Sequence, residues 1–138
     1  GLSYTSFAYS DLAVRKQINT DDDLEIEVTV LNTGDYPGDE VVQLYIKHIG
    51  SSYPVPIHAL KGIKRIHLDT GKKKTVKFKL SENELSVIDD ENQRVVLPGE
   101  LQIFLGGKQP DDESLKTGKI AETKVQIVGE PLIIDRLD

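Results

Sequence analysis

The chain has no cysteine, no methionine and no tryptophan, and only 6% of its 138 residues are aromatic. Without cysteine there are no disulfides and no thiolate metal sites, so redox compartment leaves no mark on the sequence. Without tryptophan, and with few other rings, a dedicated sugar-stacking platform is poorly supplied. An exposed tyrosine more often packs a loop or an interface. No apolar run reaches the ~18 residues that a membrane span needs, and no signal-peptide pattern is present. The absence of methionine, with Gly1 at the start, points to a mature or excised fragment rather than a complete translation product. The net charge of −6 reads as interspersed charges of both signs, which argues against nucleic acid or an anionic membrane as partner. What is left is a soluble acidic surface, with a secreted or periplasmic setting favoured over a cytoplasmic one.

What the chain does have is period-two alternation. Leu24, Ile26, Val28 and Val30 alternate with Glu25, Glu27 and Thr29, and a second run follows from Glu40 to Ile46. Between them lies the polar break Asn32-Thr33-Gly34-Asp35-Tyr36-Pro37-Gly38-Asp39. Two such runs around a Gly/Pro/Asn/Asp cluster read as an antiparallel hairpin. Phe7 and Tyr9 start a strand whose phase slips at Ser10-Asp11, as at a bulge. Ala59–Leu68 is a further strand in which Gly62 marks a bulge, and Asp69-Thr70-Gly71 turns the chain into Thr75–Leu80. There Val76, Phe78 and Leu80 point inward. Ser81 and Glu84 have capping-box spacing for one helical turn. Val87-Ile88 and Arg94–Leu97 form a hairpin, Leu101, Ile103 and Leu105 line the next strand, and Ala121–Ile127 is the last. Lys108–Gly118 is a long polar loop, and residues 129–138 form a tail.

Short strands, frequent turns and no long helix predict an all-β protein, an antiparallel sandwich of immunoglobulin or fibronectin type III architecture with about 7–8 strands. At 138 residues the chain fits one domain, residues 1–138, which on folding buries roughly 68% of the surface its unfolded chain exposes.

Candidate chemistry is sparse. The acidic residues cluster at Asp21–Asp23, Asp35/Asp39/Glu40, Asp89–Glu91 and Asp111–Glu113, in turns where Asp bonds its own backbone. A calcium site assembled from such loops is the sharper alternative, although no segment has EF-hand spacing. His48, His58 and His67 lie far apart and do not resemble a zinc set, and Ser51 and Ser52 lack a hydrolase elbow. Lys72-Lys73-Lys74 reads as a solvated basic turn. No catalytic residue, cofactor or metal is assigned. Tyr36 and Tyr53, in predicted loops, are the candidates for sugar contact. Val41 and Tyr45 make the second face of their strand half apolar. With Tyr4 and Phe7 they suggest a face meant for other domains.

The segment Gly1-Leu2-Ser3-Tyr4-Thr5-Ser6-Phe7 resembles the entry to the fibronectin type III-like C-terminal domain of glycoside hydrolase family 3, the β-glucosidases and β-xylosidases. Asn32-Thr33-Gly34-Asp35 with Gly38–Tyr45 is similar to that domain's central hairpin. Leu60–Ile66, Gly71 with Thr75–Phe78, Pro98-Gly99-Glu100 and Leu105-Gly106-Gly107 follow in the same order, so the resemblance runs from Gly1 to about Val128. The polar loop Lys108–Gly118 follows no pattern of that domain. The resemblance implies a chain without catalytic residues, because the nucleophilic Asp and the acid/base residue of those retaining enzymes lie in preceding domains. It implies packing against those catalytic domains, stabilisation of them, and in some members a loop near the active-site mouth. Two other roles stand beside it: a carbohydrate-binding module using Tyr36, Tyr53 and the long loop, and a calcium-stabilised adhesive sandwich.

Overall fold

Leu24, Ile26, Val28 and Val30 are all fully buried, while the residues between them are half-buried or exposed, so the alternation in sequence is an alternation in space. The computed structural model describes residues 6–50, 58–107 and 120–136. Its strands are β1 (Phe7–Val14), β2 (Gln17–Asn19), β3 (Leu24–Asn32), β4 (Gly38–Ile49), β5 (Ala59–Leu68), β6 (Lys73–Leu80), β7 (Val87–Ile88), β8 (Gln93–Val96), β9 (Gly99–Gly106), β10 (Ile120–Val128) and β11 (Leu132–Arg136), with one helical turn, α1 (Glu82–Leu85), after β6. A three-stranded sheet in the order β1-β3-β6 faces a five-stranded sheet in the order β2-β10-β9-β4-β5. Their inward residues fuse into one core that includes Val28, Phe78, Leu44 and Ile103. The third sheet, β11-β8-β7, closes one end with α1, sending Leu85 and Val96 into the same core. The architecture is the expected all-β sandwich.

Local expectations hold where the physics is local. The register of β1 against β3 slips between Ser10 and Ala13, and Asp11 takes a positive φ of 52°. The β4–β5 ladder slips opposite Leu44/Tyr45, where Lys61 is the extra residue beside Gly62. The Glu84 carboxylate accepts the Ser81 backbone N–H at 2.7 Å, closing the capping turn.

Three expectations need correction. Leu24–Asn32 and Gly38–Ile49 are strands, but they do not form a hairpin. β3 pairs with β1 and β6, and β4 pairs with β5 and β9. The connection is an arch that carries the chain from one sheet to the other, so the two apolar stripes face each other instead of lying side by side. The segment 129–138 is not a plain tail, because Leu132–Arg136 pairs with β8. The strand count is eleven among the described residues, partly because Gln17–Asn19 adds a short parallel strand beside β10.

Asn32 holds the arch. Its side chain is buried and donates to the carbonyls of Tyr36 and Leu68, both at 2.9 Å, while its Oδ1 accepts the Gly34 N–H at 2.8 Å. Its backbone is tied to the β5–β6 turn, donating to the Lys72 carbonyl and accepting from the Gly71 N–H, both at 3.0 Å. One residue therefore locks the arch to the end of β5 and to the turn beyond it.

Candidate functional site

The outer face of the five-stranded sheet follows from its ladders, since residues directly opposite each other in an antiparallel pair share a face. Val41 lies opposite Arg65, Gln43 opposite Ile63, and Tyr45 between Leu60 and Phe104. Ile63 is 59% exposed, Leu60 45% and Val41 37%, which leaves an apolar strip along β4 and β5 open to solvent. Tyr45 lies half-buried in the middle. Its hydroxyl donates to Gln43 Oε1 at 2.7 Å, and the Gln43 amide donates to the Gly107 carbonyl at 3.1 Å, so the ring is held along the sheet. Phe104 belongs to the same face but is only 3% exposed, with the His58 ring packed edge-on at 5.0 Å. Ion pairs rim one end of the strip. Asp39 accepts from His67 Nδ1 at 2.6 Å and from Arg65 Nε at 2.9 Å, and these two hydrogen bonds hold its carboxyl below the usual carboxylate range.

The outer face of the three-stranded sheet is different. Glu27 and Glu25 lie opposite Lys77 and Lys79, and the ion pairs Lys77–Glu27 at 3.4 Å and Lys79–Asp23 at 3.5 Å lie across it. That is the charge-laced surface a solvated sheet presents, so the two outer faces are chemically unequal.

The structure brings Val41 and Tyr45 together but not Phe7, which starts β1 in the other sheet and packs against the core from its rim. Phe7 is thereby removed from the proposed face. Tyr4 and Tyr53 lie outside the described residues, as does the loop Lys108–Gly118. Tyr36 stands 52% exposed in the arch, where its carbonyl serves Asn32. Leu60 and Ile63 were missed as members of the face. The signal was Gly62: the extra residue at the bulge carries both onto the outer side.

Two of the acidic clusters, Asp21–Asp23 and Asp89–Glu91, behave as turn residues, whereas Asp39 and Glu40 lie in β4 rather than in a turn and Asp111–Glu113 lies outside the described residues. Asp22 accepts the Asn19 N–H, and Asp89 Oδ1 accepts the N–H groups of Glu91 and Gln93. Among the described residues, no group of three or more His, Asp or Glu is gathered to hold a metal ion. Among the described residues, one acid contact joins the two sheets of the sandwich. Tyr9 on β1 donates to Glu40 on β4 at 3.0 Å; burial pushes the Glu40 carboxyl upward, and burial beside that carboxylate pushes the Tyr9 phenol upward as well. A cavity of about 340 Å³ at the end closed by the third sheet is lined by His48, Leu85, Pro98 and Glu100 among others. Burial lowers the pKa of His48, and Glu100 is paired with Lys124 at 3.4 Å. No described helix is long and apolar enough to cross a membrane.

Residues 40–109 match the family described as fibronectin type III-like domain. A β-xylosidase of Formosa agariphila is 40% identical over 118 residues, which cover 85% of this chain and 16% of that protein. A periplasmic β-glucosidase of Salmonella typhimurium is 33% identical over 107 residues, 77% of this chain and 14% of that protein. Among solved structures, the GH3 β-glucosidase of Bifidobacterium adolescentis superposes with a TM-score of 0.76 at 28% identity, covering 92% of this chain and 18% of that one. The chain therefore spans about a sixth of the length of the proteins it matches. The ordered motifs, the sandwich and the family match agree: this chain belongs to the fibronectin type III-like domain family, in the form found within family 3 β-glucosidases and β-xylosidases.

Proposed function

We propose that this chain is the C-terminal accessory domain of a retaining family 3 β-glucosidase or β-xylosidase, and that it carries none of the parent's catalytic residues. It packs against the catalytic domains through the outer face of the five-stranded sheet and stabilises them. The observation that supports this reading is the apolar strip Val41, Leu60 and Ile63 around a hydroxyl-anchored Tyr45. The charge-paired opposite face supplies the contrast. Burying an aliphatic side chain in full is worth about 1.5–3 kcal/mol, so covering three that are half exposed contributes a few kcal/mol to docking. The periplasmic relative favours a setting outside the cytoplasm.

The test is a triple variant, Val41→Thr, Leu60→Gln and Ile63→Gln. In the 138-residue chain the unfolding free energy is expected to change by about 1 kcal/mol or less, because exposed positions tolerate substitution. In the full-length polypeptide the same changes weaken docking by about 3 kcal/mol and lower the temperature at which glycosidase activity is lost. A parent whose thermal inactivation is unmoved rejects this face as the seam.

A further inference from the structure

The interspersion of charge signs expected from the sequence as a whole breaks down in one stretch. Between Lys61 and Lys79 stand eight of the 17 Lys and Arg residues and one of the 23 acids, Asp69. That stretch carries +7 and the other 119 residues carry −13, within a total of −6. The stretch is β5, the turn and β6, and each of those strands is the edge of its own sheet. The cations are therefore collected along the open side of the sandwich, where the two edges face each other. A groove of about 390 Å³ runs there, lined by Lys64, Arg65, Lys74, Thr75 and Lys77. Lys64 bridges it, with its ammonium on the Lys77 carbonyl and 5.2 Å from the centre of the Phe78 ring.

Three of the cations are neutralised within the protein: Arg65 by Asp39, Lys77 by Glu27 and Lys79 by Asp23. Lys72, Lys73 and Lys74 are exposed and, among the described residues, have no acidic partner. Lysines on edge strands also discourage edge-to-edge pairing. Three consecutive unpaired lysines leading from the turn into one edge go beyond that need.

We propose that this side of the domain is a binding track for a linear polycarboxylate, of the kind presented by a polysaccharide containing uronic acids. Successive residues of an extended strand point to opposite sides and alternate ones stand about 6.8 Å apart, so Lys73 and Lys74 lie on the two sides of the β6 edge, and Lys74 lines the groove with Lys64 and Arg65 as a set of cations suited to repeated anionic groups along a polymer. Nucleic acid is the poorer fit, because single strands are held by exposed aromatic platforms, whereas no aromatic side chain is among the described residues lining this groove and the nearby Phe78 is buried beneath Lys64. The choice of a polysaccharide over another polyanion rests on the glycosidase reading above; the charge geometry does not. Such a track would hold the parent enzyme on acidic regions of a polymer without taking part in hydrolysis.

Affinity electrophoresis of the 138-residue chain through polygalacturonate tests this. Methyl-esterified polygalacturonate and duplex DNA serve as comparators, and a Lys72→Gln/Lys73→Gln/Lys74→Gln variant is run beside a Lys16→Gln/Lys47→Gln/Lys124→Gln control. Retardation by polygalacturonate is expected at low salt, with about tenfold weaker binding near 0.3 M salt, where exposed charges are screened. The first variant should lose about tenfold in affinity, the control should stay within twofold, and the neutral ester should not bind. No retardation at low salt, or equal losses in both variants, overturns the track. DNA bound as tightly as polygalacturonate overturns the assignment to a polysaccharide. Absence of retardation in a chain whose parent is confirmed as a glycosidase removes this inference alone.

Discussion

Replacing Asn32 by alanine is expected to lower the unfolding free energy by about 3–4 kcal/mol, a large share of the 5–15 kcal/mol typical of a domain. The side chain makes three hydrogen bonds in a site that is 1% exposed, two as donor and one as acceptor. Alanine removes all three and leaves the Tyr36 and Leu68 carbonyls and the Gly34 N–H without their partner. Leaving a buried group unmade costs more than the bond contributed. Asn32→Asp gives a sharper signature. The shape is kept, but a carboxylate then faces two carbonyl oxygens, and burial among acceptors raises its folded-state pKa. A carboxyl raised in the folded state favours folding at pH values below its unfolded pKa, and that contribution is lost as pH rises through the folded value. The Asp variant should therefore be closest to wild type near pH 4 and most destabilised at pH 7, as read by denaturant unfolding. A cost under about 1 kcal/mol for the alanine variant would mean that the arch is held by something else.

Gly62→Val is expected to cost about 3 kcal/mol through overpacking. Gly62 lies opposite Leu44 on the inward side of β5, and a Cβ built there meets the Phe78 ring at 2.7 and 2.9 Å. Phe78 comes from the facing sheet and is itself buried, so the conflict lies across the core. The glycine is required here by close approach and not by an unusual backbone angle. Neighbours in contact do not add, so the penalty of Gly62→Val should shrink by more than 1 kcal/mol on a Phe78→Leu background. Equal penalties on both backgrounds would place the strain elsewhere.

The strands themselves were legible because their cause is local. Alternation over Leu24–Val30 and Thr75–Leu80 is the burial pattern, and the bulges at Asp11 and Gly62 announced themselves by broken phase or a glycine. Pairing was not legible. A hairpin and an inter-sheet arch both present two alternating strands around a polar break, and what separates them is where the Asn32 amide finds its carbonyls. One of those, on Leu68, is 36 residues away. The strand Leu132–Arg136 has the look of a tail in sequence, since five residues after Gly129 and Pro131 carry too little periodicity to stand out. The outer face was half legible. Val41 and Tyr45 broke the expected polar phase of β4, but Leu60 and Ile63 join them only once the bulge beside Gly62 is followed through the register. Phe7 matched the same composition and belongs to the other sheet, because residue type carries no information about which layer a strand enters.

The central claim, that the β4–β5 outer face is covered by other domains of the same polypeptide, has a direct probe in the chain's lack of cysteine. Ile63→Cys places a single thiol on that face, and Thr75→Cys places one on the exposed outer side of β6. Maleimide labelling rates are measured for each in the 138-residue chain and in the full-length parent, with the unsubstituted parent as blank. The account predicts that both label at similar rates in the isolated chain, while in the parent Ile63→Cys slows at least about tenfold and Thr75→Cys is unchanged, since a covered thiol reacts only when the interface opens. Equal labelling of Ile63→Cys in the two settings would contradict it.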